Sequence, residues 1–176
     1  MCEKMRNFVF FYFFMLFKIN MSLTRTRAAS IARTTEFRVA KIASKDLRES
    51  AIVFAKKLAG RAGEYAKFRK AGTVQLKDIE LAAKDMCSHG SGPVAVSYPR
   101  APLARLLHRE TGLRASKIAV TEFVHLVSRS TADLAVHAAA SAEAAGRKTI
   151  KSRFVSAAQG EGKRVPTRKA GGAGRR

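Results

Sequence analysis

The stretch Ala144–Phe154, "AAGRKTIKSRF", joins the end of one helix to the start of another through a turn that carries two cations and a hydroxyl. A run of small apolar residues stops at Gly146; Arg147, Lys148 and Thr149 follow at once, and a new apolar pattern begins at Ile150. Glycine closing a run of helix formers is a helix stop, so the spacing predicts two helices separated by a tight turn. Thr149 is a candidate cap for the second of them.

A shift of 76 residues carries Thr149 onto Thr73, and the same shift pairs Arg38 with Arg114, Ile42 with Ile118 and Leu58 with Leu134. Further coincidences fall on alanines and weigh little in an alanine-rich chain. The arginine and threonine pairs carry the case for an internal duplication. Between each arginine and its threonine the apolar residues recur at spacings of three and four. They are Leu47, Ala51, Phe54, Leu58, Ala62 and Tyr65 in the first half, and Val120, Val124, Val127, Leu134, Ala138 and Ala142 in the second. Each interval therefore predicts one long helix of about 40 Å, too long to be covered without a partner along its length. Shorter flanking helices are predicted at about Arg27–Phe37, Gln75–Met86, Ala101–Thr111 and Lys151–Gln159, with Pro102 suited to a first turn.

Composition agrees with an all-α chain: Ala, Lys and Arg abound, Trp is absent, and no Pro occurs between Met21 and Gly92. The 176 residues hold 34 Lys and Arg against 13 Asp and Glu, a formal charge of +21. Residues 21–159 keep 25 cations against 11 acids, so the part expected to fold is itself basic. A polyanionic partner is implied, nucleic acid before an anionic membrane. Cys2 and Cys87 match no metal or catalytic spacing, and no nucleophile motif, phosphate-cradling glycine loop or carboxylate pair occurs. His108 and His137 read as structural or surface residues. Neither a catalytic residue, a metal nor a cofactor is expected.

The first twenty residues differ from the rest. The apolar block Phe8–Phe17 would make a helix of roughly 15 Å, short of a bilayer core of about 30 Å. Its Phe, Ile, Asn and Lys are encoded by AT-rich codons, whereas the Ala, Arg and Gly that dominate downstream have GC-rich ones. Met21 is therefore read as the natural start and residues 1–20 as a hydrophobic leader absent from the natural protein; a short anchor is the rival reading. Turn residues over 87–99 predict a linker between the halves, and the basic segment 160–176 has little to bury and is expected to be disordered.

Short helix, loop, long helix, loop, short helix is the order of the histone fold, and the loops carry the resemblance. "PRAPLARLLHRETGLRAS" resembles the opening helix and first loop of an archaeal histone, and "AAGRKTIK" its second loop. The first half is a more distant match, with "EFRVAK" and "KAGTVQLKDIELAAK" at its loops. The chain thus resembles a histone doublet of the kind found in some archaea and giant viruses. The domains expected are a first histone fold over 21–86 and a second over 100–159. The resemblance implies an intramolecular handshake pseudodimer, in which the long helices cross antiparallel and each first loop lies beside the other half's second loop.

From the family's pattern, duplex DNA is held by Arg105 on the opening helix, Arg114 in the first loop, and Arg147, Lys148, Thr149 and Lys151 at the second. Arg38, Lys41, Thr73 and Lys77 serve in the first half. Arg27 and Arg33 align less cleanly. Binding of this kind reads phosphates rather than base edges. The resemblance further implies self-association, or association with other histone-fold proteins, through four-helix bundles, with Phe68 and Asp78 at one assembly face and Ala144 and Phe154 at the other.

The sequence also departs from the family. Histone folds pair a second-loop arginine with an acid seven residues on; here Arg147 meets Phe154, and Asp78 meets Ala71. One clamp member per half is the expectation, with Phe154 making an apolar contact at its assembly face. Lys148 has Gly72 as counterpart, so the first-half loop is expected to hold phosphate less strongly. The function implied is wrapping or compaction of DNA in nucleosome-like particles, at a chromosome or nucleoid or, for a virus, in the host nucleus, viral factory and virion. The alternative is a histone-fold subunit of a transcription or replication complex acting through protein partners, though its kind is usually less basic.

Overall fold

The computed structural model describes residues 25–86 and 96–160. The leader, Cys2, Cys87, most of the linker and the basic tail lie outside them. Among the described residues the elements in order are α1 (Arg25–Ala32), β1 (Arg38–Val39), α2 (Lys41–Phe68), β2 (Thr73–Val74) and α3 (Leu76–Asp85), then α4 (Arg100–Thr111), β3 (Arg114–Ala115), α5 (Lys117–Ala144), β4 (Thr149–Ile150) and α6 (Ser152–Gln159). The two long helices have 28 residues each and begin and end 76 residues apart, as the repeat predicts.

The strands fix how the halves meet. β1 pairs with β4 and β2 with β3, both in parallel. The start of α2 is thereby tied to the end of α5 and the end of α2 to the start of α5, so the long helices must cross antiparallel. This is an intramolecular handshake. The apolar stripes meet at the crossing and fill two clusters. One gathers Leu58, Ile79, Leu103, Leu106, Leu107, Phe123 and Val127; the other is richer in alanine and gathers Ala28, Leu47, Ala135, Ala138, Ile150 and Phe154.

The opening helices differ. α1 ends at Ala32, short of the predicted Phe37, because a 3-10 turn over Arg33–Thr35 follows and Glu36 turns left-handed at φ 61°. Where α4 buries Leu103 and Leu106, the repeat gives α1 Arg27 and Ser30, so α1 has less to bury and less reason to extend. Pro102 stands in the first turn of α4, where its missing N–H costs no hydrogen bond. The end of α4 packs closely on α2: a Cβ added at Gly63 would meet Thr111 Cγ2 at 3.0 Å, so glycine sets this approach.

The end of the predicted linker is packed rather than free. Tyr98 is fully buried, its N–H donates to Ser128 Oγ at 3.0 Å, and its hydroxyl donates to Thr131 Oγ1 at 3.4 Å. Burial pushes the phenol up to about 12. Arg27 donates from Nε to the Ser97 carbonyl at 2.9 Å, tying α1 to the same segment.

Candidate nucleic-acid interface at the paired loops

Each long helix stops in the same way. In the first half Lys70 N–H donates to Lys67 O at 2.8 Å and Ala71 N–H to Ala66 O at 2.9 Å; in the second, Gly146 N–H donates to Glu143 O at 2.7 Å and Arg147 N–H to Ala142 O at 2.9 Å. These paired bonds cap the free carbonyls and need a left-handed residue, Lys70 at φ 55° and Gly146 at φ 65°. The reversal throws the next residues into extended backbone, and that backbone pairs with the first loop of the other half.

The pairing places Arg38 opposite Thr149 and Val39 opposite Ile150 at one end of the molecule, and Arg114 opposite Thr73 and Ala115 opposite Val74 at the other. Parallel neighbours lie about 4.8 Å apart, so each threonine stands beside an arginine of the opposite half. Arg38 N–H donates to Lys148 O at 3.2 Å, Ala40 N–H to Ile150 O at 3.0 Å, and Ser116 N–H to Val74 O at 3.0 Å. Val74 and Ile150 point inward and are fully buried, pinning the strands to the core.

The cations around these pairs face outward. Arg38, Lys41, Arg147, Lys148 and Lys151 are exposed at one end, Arg114 and Lys77 at the other, and Arg105 on α4, while Thr73 and Thr149 are half-buried. Among the described residues ion pairs join Lys45 to Glu49, Arg61 to Glu64, Arg69 to Asp78 and Arg109 to Glu110, and none of these candidate cations takes part. Two exposed cations with no motif of their own belong with them. The repeat carries Lys41 onto Lys117 and Lys77 onto Arg153, whose guanidinium lies 4.7 Å from the Phe154 ring centre.

Thr149 is not a helix cap: it lies in β4, and Lys151 occupies the cap position of α6. Ser116 does cap α5, accepting from Ala119 N–H at 3.1 Å.

The expected assembly residues divide. Phe68 and Ala144 are exposed, but Asp78 and Phe154 are buried inside the pseudodimer and present little to a partner. The clamp is also not shared one member to each half. Arg69 grips Asp78 with both edges, Nε to Oδ1 at 2.8 Å and a terminal nitrogen to Oδ2 at 2.5 Å, while Gln75 N–H donates to Oδ2 at 2.8 Å. The carboxylate holds the Arg69 guanidinium above its ordinary value. The first half therefore has a whole clamp, closed by Arg69 rather than by a residue at Ala71. In the second half the repeat puts Ala145 at the arginine and Phe154 at the acid, so an ion pair is replaced by a ring buried in the alanine-rich cluster.

Two antiparallel long helices, each flanked by shorter ones, with first and second loops paired across the halves, match a solved architecture. The crystal structure of the histone from Methanopyrus kandleri superposes with a TM-score of 0.67 and 26% sequence identity over 76% of this chain and 91% of that one. That span exceeds either half alone. The chain is a pair of histone folds. No family model and no curated protein matches the sequence itself. In histone-fold terms the loop pairs are the two first-loop and second-loop junctions of one pseudodimer, and no helix among the described residues is long and apolar enough to cross a membrane.

Proposed function

We propose that the chain is a histone doublet that wraps or compacts duplex DNA through nonspecific phosphate and minor-groove contacts, forming nucleosome-like particles. One observation carries this reading: at both ends of the pseudodimer an exposed arginine stands in register with a threonine of the other half, near exposed cations that join none of the ion pairs among the described residues. A hydroxyl and exposed cations on one surface suit a phosphate where the minor groove faces the protein. Arg105, Arg114, Arg147, Lys148, Thr149, Lys151, Arg38, Lys41, Thr73 and Lys77 make these contacts, joined by Lys117 and Arg153.

Fusion of the two folds makes pairing intramolecular and independent of protein concentration. The Arg38 and Thr149 end binds more strongly, because Ala71 and Gly72 stand at the other end where this one has Arg147 and Lys148. Doublets associate with one another, or with other histone-fold proteins, through helices at the pseudodimer ends. The address is a chromosome or nucleoid.

Nuclease digestion of DNA carrying the purified protein, at two salt concentrations, tests the reading. Protected fragments of discrete size that disappear at the higher salt are expected. Binding without protection at any protein-to-DNA ratio refutes wrapping, and a strong sequence preference or an obligate protein partner favours the alternative of a regulatory histone-fold subunit.

A further inference from the structure

A groove of about 700 Å³ lies between α2, α5 and α6 on one flank of the pseudodimer. Part of its lining is apolar: Phe54 and Leu134 are half-buried there, and Val53 is 52% exposed. Asp46 and Glu49 line it as well, in the two turns of α2 before Val53. Glu49 has the exposed Lys45 at 3.7 Å, and Asp46 Oδ2 is buried with no hydrogen-bond partner among the described residues. A carboxylate oxygen withdrawn from water without a donor is costly, so the groove has an acceptor to offer a cation. Lys57, which also lines it, stands eleven residues from Asp46 along α2, about 16 Å at the helical rise.

The other flank is not built alike. The repeat puts His125 and Arg129 where the groove has Glu49 and Val53, and Arg61 where it has His137. Two guanidinium groups thus replace a valine and an imidazole. A basic segment is attracted to the first flank and repelled by the second.

The chain itself delivers such a segment to the groove. Gln159, the last residue of α6, lines it and donates from its amide to Ser50 Oγ. Ser50 in turn donates to the Asp46 carbonyl at 2.9 Å, one helical turn back. From Gln159 the sequence runs on through 160–176 with six cations and one acid. Lys163 and Arg164 come four and five residues after Gln159, within about 13–16 Å of extended chain, and Val165 follows them. So short a tether sets an effective concentration on the order of millimolar. A contact too weak to hold a separate peptide can therefore hold this one.

We propose that the start of the basic tail, "GKRVP" over 162–166, docks in this groove, with Lys163 and Arg164 at Asp46 and Glu49 and Val165 against Val53. Docking of this kind does not depend on the DNA reading. In a DNA-binding protein it holds the cations of the tail back until the groove releases them.

Disulfide trapping in the full chain, with Cys2→Ser and Cys87→Ser removing the native thiols, tests the docking. Val53→Cys with Val165→Cys is expected to close an intrachain disulfide roughly tenfold faster than His125→Cys with Val165→Cys, whose first thiol lies on the other flank. Glu49→Gln, at an exposed position, should slow the Val53 pair several-fold, as should about 1 M salt, where the Debye length falls to ~3 Å. Circular dichroism melts that match the parent show that the variants fold. Equal rates on the two flanks, or a Val53 pair indifferent to both Glu49→Gln and salt, overturn the proposal. Disulfides that form only between chains also overturn it, and place the tail of a second copy in the groove.

Discussion

Arg38 stands in parallel register with Thr149, so a residue near the start of the fold and one near its finish share a single surface. The charged partner and the neutral partner should be separable by salt. Arg38→Ala is expected to weaken DNA binding for every sequence and to shallow the slope of log affinity against log salt by about one unit. Thr149→Ala removes a hydroxyl but no charge, and its main-chain pairing stays, so affinity falls with the slope unchanged. Fluorescence anisotropy across a salt series measures both; an unchanged slope for Arg38→Ala would place DNA elsewhere.

The Arg69 and Asp78 clamp predicts an asymmetry between its members. Asp78 is fully buried while Arg69 reaches solvent, so Arg69→Ala strands a carboxylate and should cost about 3 kcal/mol, near the lower bound for breaking a buried pair. Asp78→Ala leaves a guanidinium that water can reach and should cost less, about 1–2 kcal/mol. The double change Arg69→Ala with Asp78→Phe copies the second half and should recover much of the loss. Urea unfolding of the three variants decides it; equal costs for the single changes would contradict this account of burial.

Lys70 occupies the left-handed position that Gly146 fills in the other half. A side chain there costs roughly 1 kcal/mol relative to glycine. Lys70→Gly should therefore raise stability by up to that amount while slightly weakening DNA binding, since a loop cation is lost. A variant that is less stable than the parent would show that Lys70 makes contacts worth more than the strain.

Tyr98 gives a pH dependence of definite sign. Its folded value of about 12 lies above the ordinary tyrosine value near 10, so folding favours the neutral phenol. That contribution is complete below pH about 10 and is lost as pH rises towards about 12, amounting to roughly 2–3 kcal/mol at about 1.4 kcal/mol per unit. Comparing urea midpoints of the parent and Tyr98→Phe from neutral to alkaline pH isolates it, since other groups titrate in both. Parallel curves would mean that the phenol ionises without unfolding cost.

Much of the fold is legible in the sequence. The shift that pairs Arg38 with Arg114 and Thr73 with Thr149 also relates the bounds of both long helices, the strands, and the left-handed residues Glu36 with Gly112 and Lys70 with Gly146. The stripe through Leu47, Ala51, Leu58 and Ala62 is buried as its period requires. Lys117 and Arg153 lie in no motif, and only the repeat points to them, from Lys41 and Lys77.

By itself, the sequence determined the element order, the duplication and the basic character of the folded part, because helical period and charge are properties of neighbouring residues. Tertiary structure alone decided which groups meet. Arg69, the residue before the left-handed turn at Lys70, is the one that reaches Asp78, where spacing pointed to position 71, and the packing of α6 puts Phe154 in the core instead of towards a partner. Both outcomes depend on the path of the backbone through a loop and on what lies across it, and spacing along the chain records neither.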